Sequence, residues 1–467
     1  MKIAFHGAAR TVTGSKHLVS LKNGTQFLFD CGMFQGMGAE TDQLNENFGF
    51  DPSPIQYLFL SHAHIDHCGL IPRLVKKGFH GRIFCTSGTR DLAEIMLKDS
   101  AKIQMDDAAF LRKRSAKKNI SIYKEPLYDL DDVRAALDLF EIVNYNTWIT
   151  IQNGLEVYYA DAGHIIGSTS VHVRVTEEGK TKQISFSGDV GRYKDIILKS
   201  PQTFPQADYI LIESTYGNSL HEDVFNSPDE LLGWITKTCI DKKGKLIIPS
   251  FSVGRTQELL YFLNQLSLEK QLPNLPVYVD SPLSLEATEV TKKHSEGFNK
   301  KIQNLLKVDD DPFDFPGLSF IESVEESKTL NSNDNPMIII SASGMADAGR
   351  VKHHIYNNIE DAKNTILIVG YCEPNSLGGR LMRGAEVVRI FNDEMQVKAE
   401  VGVMRSMSAH GDYDDLCQFL ACQNPDLVHK LFLVHGEYEV QQDFQRSLLK
   451  KGFKDVQIPA LHQEFGL

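Results

Sequence analysis

This sequence predicts an α/β protein in which one domain interrupts another, and three features of the chain predict it. Over about the first two hundred residues, short apolar runs alternate with turn signals, and several deliver a His or Asp at or just past their C-terminal end. From about Ser227 the texture changes to continuous apolar strands alternating with helical stretches, the pattern of a mainly parallel sheet covered on both faces. After about Met404 the ligand-type residues return with His410 and His435. The expected outer domain therefore comprises residues 1–217 and 406–467, with an inserted domain at 218–405. A length of 467 residues suits two or three domains of roughly 100–200 residues each.

The elements follow in order. Gln26–Phe29 is an expected strand running into Asp30-Cys31-Gly32, and Tyr57–Leu60 runs into Ser61-His62. Thr89 to about Lys118 has helical spacing, with Leu92, Ile95, Met96, Ile103 and Phe110 as its apolar positions. Leu155–Ala160 precedes Asp161-Ala162-Gly163-His164, and Gln183–Ser187 precedes Gly188-Asp189. In the insert, a helix over Asp229–Asp241 meets the strand Lys245–Pro249, and a helix over Arg255–Leu268 meets Val277–Val279. A helix around Leu285–His294 precedes the strands Leu318–Ile321 and Met337–Ile340, then a helix at Gly349–Tyr356 and the strand Thr365–Val369.

Hydrophobic residues make up 42% and charged residues 24% of the chain, ordinary for a globular protein. The seven cysteines form no CxxC pair and are odd in number, which predicts free thiols in a reducing compartment. The N-terminus reads as no signal peptide, and no apolar run of about 18 residues predicts a membrane span, so a cytoplasmic protein is expected. A net charge of −12 argues against broad affinity for nucleic acid, although metal ions in a groove can bind phosphate on an acidic protein. The densest basic run, Arg112–Lys118, reads as a solvated helix end or as a substrate-guiding rim.

The strongest chemical signal is Ser61-His62-Ala63-His64-Ile65-Asp66-His67. Three imidazoles and a carboxylate follow an apolar strand directly, and on a tight loop their side chains diverge enough to serve two adjacent metal ions. Grouping so many polar side chains without a metal would be costly. His164, Asp189 and His435 each follow an apolar strand and are flanked by small residues that let backbone approach a ligand. His6, His17, His80, His172, His221 and His294 lack that setting and are read as structural.

The ordered set His-x-His-x-Asp-His at 62–67, His164 and Asp189 resembles the metallo-β-lactamase superfamily. Glu213-Ser214-Thr215-Tyr216-Gly217, Ser406-Met407-Ser408-Ala409-His410 and Val434-His435-Gly436-Glu437 resemble its β-CASP subgroup, which includes RNA-processing ribonucleases. Pro249–Arg255 and Ser343-Gly344-Met345 resemble that subgroup's inserted domain, so the resemblance covers nearly the whole chain. It implies a four-layer αβ/βα sandwich with an inserted β-CASP α/β domain. It implies two Zn²⁺ per chain, one held by His62, His64 and His164, the other by Asp66, His67 and His435, with Asp189 bridging. Manganese or iron could substitute in vitro. Asp30 matches the first acidic motif and is expected to orient ligand side chains, although alone it reads equally as a strand-end turn residue. A His at position 435, where DNA-repair members resembling this chain carry an apolar residue, points to RNA.

Two metals about 3.5–4 Å apart can hold a bridging hydroxide and clamp a phosphodiester. Asp66 is then both ligand and part of the catalytic apparatus. The leaving oxygen needs a proton, and the resemblance assigns His410 as general acid, held by Glu213. From sequence alone Glu213 reads equally as a helix cap. In the insert, Ser250, Ser252 and Arg255, and Ser341, Ser343 and Gly344, precede helices whose free amides suit a phosphate, giving a substrate cleft for single-stranded RNA. The same residues fit ordinary capped turns. A small-molecule ester or thioester hydrolase of the same fold, and an inactive RNA-binding scaffold, are the competing readings. The size of the insert and the His410–Glu213 pair argue against the first, and the complete set of seven candidate ligands against the second.

Overall fold

The computed structural model describes residues 1–118, 125–222, 226–307, 309–370 and 372–467, with the side chains of 113–118 and 405 excepted. Most of the basic run at 112–118 thus lies outside the described side chains. The chain divides into two compact units: Met1–Tyr193, Ser200–Leu220 and His410–Leu467 form the first, and Lys194–Lys199 with His221–Ala409 the second. Lys194–Lys199 joins the second unit because Leu198 bridges to Phe298 and the Asn299 amide donates to Ile197 O.

The first unit is built on two seven-stranded sheets. One has the order Gln463–Gly466, Lys2–Phe5, His17–Ser20, Gln26–Phe29, Tyr57–Phe59, Arg82–Cys85, Phe140–Ile142. The other has Val456–Gln457, Lys430–Val434, Tyr209–Glu213, Lys180–Phe186, Thr169–Glu177, Leu155–Asp161, Ile149–Gln152. Alternation along each strand sends every second residue into one face. Phe5, Phe27, Phe29 and Phe59 from the first sheet meet Val157, Val173, Phe186, Leu211, Phe432 and Val434 from the second in one buried core. On the far side of the second sheet, Ile210, Ile212, Leu431 and Leu433 pack against Leu416, Phe419, Phe444 and Leu448 of the helices Tyr413–Leu420 and Tyr438–Lys450. The helices Ile71–Lys76, Ser87–Lys118 and Leu130–Leu137 pack together beside the first sheet. This is the αβ/βα sandwich expected above.

The second unit holds a six-stranded sheet, Leu318–Phe320, Val277–Val279, Met337–Ser341, Lys245–Pro249, Thr365–Ile368, Glu400–Val403, with every pairing parallel. Its buried Ile247, Ile366 and Ile368 pack with Val351 and Ile355 of the helix Arg350–Asn358 and Leu377 and Leu381 of the helix Leu377–Met382. The expected helix over 229–241 begins earlier, at Ser227–Ile235, with Pro228 in its first turn. Short elements that sequence periodicity does not signal also appear: the helices Lys300–Leu305 and Val324–Ser332 and the hairpin Val387–Ile390 with Asp393–Gln396.

Among the described residues, no helix is long and apolar enough to cross a membrane.

Candidate metal centre

Every candidate ligand of the first unit sits at the C-terminal end of a strand or just beyond it, on one edge of the two sheets. The strand Tyr57–Phe59 leads through Ser61 to His62 and His64, and His64 is the extended N-cap of the short helix Ile65–Cys68 that carries Asp66 and His67. The loop is pinned from behind: the Ser15 amide donates to Asp66 O at 2.8 Å, Cys31 to His67 O at 2.8 Å and Met33 to Ile65 O at 2.9 Å. Gly32 makes this approach possible, since a Cβ there would stand 1.6 Å from Asp66 O. His164 is fixed by Ser168, whose Oγ accepts from its amide at 3.0 Å. Asp189 follows Lys180–Phe186 after Gly188 at φ 56, and His435 follows Lys430–Val434 at φ 49, its amide bonded to Ala8 O at 2.8 Å.

These side chains converge into two groups that share Asp189. His62, His64, His164 and Asp189 form one set of ligand atoms within metal-binding reach, and Asp66, His67 and His435 form another. Asp189 faces both. Its Oδ2 lies 3.4 Å from His62 Nε2 and 3.5 Å from His164 Nε2, while Oδ1 lies 3.2 Å from His67 Nε2 and 3.7 Å from His435 Nδ1. His64 Nδ1 stands 3.1 Å from His62 Nε2 and 3.2 Å from His164 Nε2, and Asp66 Oδ2 stands 3.3 Å from His435 Nε2. A third combination, Asp189, His410 and His435, also has its ligand atoms within reach of one another.

Asp30 sets the protonation of two of these imidazoles. Buried at φ 57, it accepts from the Ser61 amide at 2.7 Å, the Ser61 hydroxyl at 2.8 Å and His67 Nδ1 at 2.6 Å. With its proton committed to Asp30, the Ser61 hydroxyl accepts from His62 Nδ1 at 3.0 Å. Both His62 and His67 therefore present an Nε2 lone pair to the centre. Thr215 does the same for His435: its hydroxyl donates to Glu213 Oε2 at 2.7 Å and accepts from His435 Nδ1 at 3.1 Å, leaving Nε2 toward Asp66.

The donor set fits a cation on this geometry. His67 Nε2 and Asp189 Oδ1, 3.2 Å apart, are both buried and have no hydrogen-bond partner. Two acceptors facing each other in a dry site need a positive charge between them. Burial pushes His62 down to about 3 and His64 to about 4, and lowers His164 well below the usual imidazole value, so these rings are neutral, the form that ligates. Burial also opposes charge on His67, but Asp189 and Asp30 outweigh it and raise that pKa well above the usual value. A proton then stands where a metal ion would, and loading releases it. Asp30→Asn is expected to weaken metal binding by about 10–100-fold, the usual cost of a lost partner behind a ligating His. Competition with a chelator measures it, and an unaltered affinity would deny Asp30 this role.

His410 lies over both groups, its ring centroid 4.7 Å from that of His164 and 5.6 Å from that of His435. Its Nδ1 meets Glu213 Oε1 at 3.0 Å and Oε2 at 3.2 Å. Glu213 is fully buried, and its Oε1 also accepts from the Val190 amide at 2.6 Å. Burial works against the His410 imidazolium, but Glu213 and then Asp189 outweigh it and carry its pKa up to about 9. About 18% of this side chain reaches solvent, so a protonated imidazole is offered at the open side of the centre.

Three comparisons bear on this arrangement. Residues 17–233 match the family model described as "Metallo-beta-lactamase superfamily", 256–381 the "Beta-Casp domain", and 394–459 the "Zn-dependent metallo-hydrolase RNA specificity domain". A ribonuclease of Thermus thermophilus is 34% identical over 94% of this chain and 94% of its own. The chain belongs to the β-CASP family of the metallo-β-lactamase superfamily. An RNase J-like protein of Methanocaldococcus jannaschii is 30% identical over 96% of this β-CASP chain and 95% of its own. The cleavage and polyadenylation specificity factor 73 of Drosophila melanogaster is 28% identical over 95% of this chain and 61% of its own. The β-CASP family is one of metal-dependent hydrolases, and the His/Asp cluster fits a metal cofactor.

The second unit gives the candidate phosphate contacts other partners. Arg255, 5% exposed, pairs with Glu258, and the Gly254, Arg255 and Thr256 amides are taken by Gln257 Oε1, Val253 O and Phe251 O. Ser250 Oγ accepts from Thr256 Oγ1, Ser252 Oγ meets Ser281 Oγ at 3.3 Å, and Ser341 Oγ donates to Asp280 O. Ser343 Oγ bonds Ala348 O at 3.3 Å, and Gly344 lies against the Phe251 ring. Sequence reasoning gave no role to Ser61 and Thr215. Their signal was the hydroxyl adjoining His62 and the hydroxyl two places after Glu213.

Proposed function

We propose that this protein is a zinc-dependent ribonuclease that hydrolyses phosphodiester bonds of single-stranded RNA, with two zinc ions per chain. His62, His64 and His164 hold one, Asp66, His67 and His435 the other, and Asp189 serves both. The observation that carries this reading is Asp189, whose two oxygens face two separate sets of imidazoles. Relatives named as ribonucleases and the match to an RNA specificity domain support RNA as the substrate.

A bound metal pair supplies Lewis acidity and a water acidified to a pKa of about 7. Asp189 and Asp66 balance the positive charge, and Asp30, Ser61 and Thr215 keep the ligand nitrogens deprotonated and aimed. His410, held through Nδ1 by Glu213, presents Nε2–H to the leaving ribose oxygen and gives it a proton. Manganese or iron can take the place of zinc in vitro. Seven free cysteines support a reducing, cytoplasmic setting.

The test is incubation of pure protein with 5′- and 3′-labelled single-stranded RNA and with DNA of the same sequence, followed by product sizing and elemental analysis. RNA should be cut in preference to DNA by protein carrying about two metals per chain. A preference for DNA, or no metal after metal-supplemented purification, would overturn the reading.

A further inference from the structure

The end of the second sheet that carries His435 and Glu213 continues past them to an exposed cation–aromatic pair. The parallel registers Glu213↔Val434 and Phe432↔Gln457 bring the residues after three neighbouring strands to one edge in the order Ser214, His435, Ile458. Beside Ile458, on the side of His435 away from Glu213, Arg10 Nη2 reaches Ile458 O at 3.4 Å, and its guanidinium lies 4.5 Å over the ring of Tyr438. Tyr438 opens the helix Tyr438–Lys450 and is 40% exposed; Arg10 is exposed as well. Among the described residues Arg10 is in no ion pair.

The pair is held to the metal centre through backbone. Ala8 O accepts from the His435 amide at 2.8 Å, and Thr11 O from the Gly436 amide at 3.2 Å, so the loop carrying Arg10 is bolted to the segment carrying His435 and Tyr438. Ala8, Arg10 and His435 all adopt the left-handed conformation, with φ of 47, 63 and 49. Three non-glycine residues in that region within one hydrogen-bonded patch are strain kept by the surrounding structure, which is found where geometry serves a function. A solvent-facing guanidinium stacked on an aromatic ring, rigidly placed beside a phosphodiester-cleaving centre, has the chemistry that receives a nucleotide: a base stacks on the exposed π surface and the cation draws the phosphate.

We propose that Arg10 and Tyr438 form a binding site for a nucleotide of the RNA strand adjacent to the phosphate being cut. This rests on the ribonuclease reading. The test compares steady-state cleavage of a single-stranded RNA oligonucleotide with hydrolysis of bis(p-nitrophenyl) phosphate, a diester too small to reach the pair, in metal-loaded wild type, Arg10→Ala, Tyr438→Ala and Tyr438→Phe. Both alanine variants should raise KM for RNA about tenfold, within the range for losing one stacked base, and lower the ratio of RNA to diester kcat/KM accordingly. Tyr438→Phe, which keeps the ring, should restore the RNA KM. An equal fall on RNA and diester would make the pair a loop staple and overturn the proposal, as would alanine variants with the wild-type RNA KM. Wild type that turns over the diester but not RNA would instead overturn the ribonuclease reading itself.

Discussion

Asp189→Asn should reduce RNA cleavage by about 10²–10³-fold or more, the range for removing a single electrostatic group from a polar active site, and should lower the metal content of the folded protein. Asp189 is 2% exposed and its neighbours are imidazoles on every side. Burial alone would raise its pKa, yet His435, His67 and His62 outweigh that and hold the carboxyl well below the usual carboxylate range. An amide keeps the shape but offers one weak oxygen and an NH₂ that would point at a cation or an Nε2 lone pair. Both metal positions lose their shared charge at once, so the effect should exceed that of removing any single imidazole. Circular dichroism, metal counts and single-turnover cleavage together measure this. Near-normal activity with full metal content would show that Asp189 is not shared.

Much of this centre is legible in the chain because its ligands are local. His62, His64, Asp66 and His67 need only one strand and one tight loop to converge, and a run of that density has few other physical uses. His164, Asp189 and His435 are legible because each ends an apolar strand, and parallel neighbours in one sheet deliver their C-terminal ends to one edge. What is not legible depends on partners far away in sequence. That Lys2–Phe5 pairs with Gln463–Gly466 is invisible to periodicity, since neither strand carries a signal of its partner. The relays through Ser61 and Thr215 depend on which hydroxyl proton is committed to Asp30 or Glu213, and only distances decide that. Arg255 shows the opposite failure. It reads as a cation at a helix start, but Glu258, one turn later on the same helix, takes its charge out of solvent.

The position of His410 beside Asp189 and His435 allows it to be a metal ligand or a proton donor, and the two roles separate in a variant. His410→Ala should slow RNA cleavage by about 10²–10⁴-fold, the usual worth of a general acid, and retain the wild-type metal count, because each set of ligands is complete without it. The pH profile carries the second half of the test. A general acid works in its protonated form, so activity is present below its pKa and lost as pH rises through it. Glu213 and Asp189 carry the His410 pKa up to about 9 against the cost of burial. Bound cations act in the opposite direction, so the alkaline limb of kcat should fall at or somewhat below that value. Glu213→Gln removes the larger of the two carboxylate contributions and should move the limb to lower pH, while His410→Ala should abolish it and leave a slow, flatter profile. Loss of metal from His410→Ala, or an alkaline limb that stays in place in both variants, would make His410 a ligand and send the search for the proton donor elsewhere.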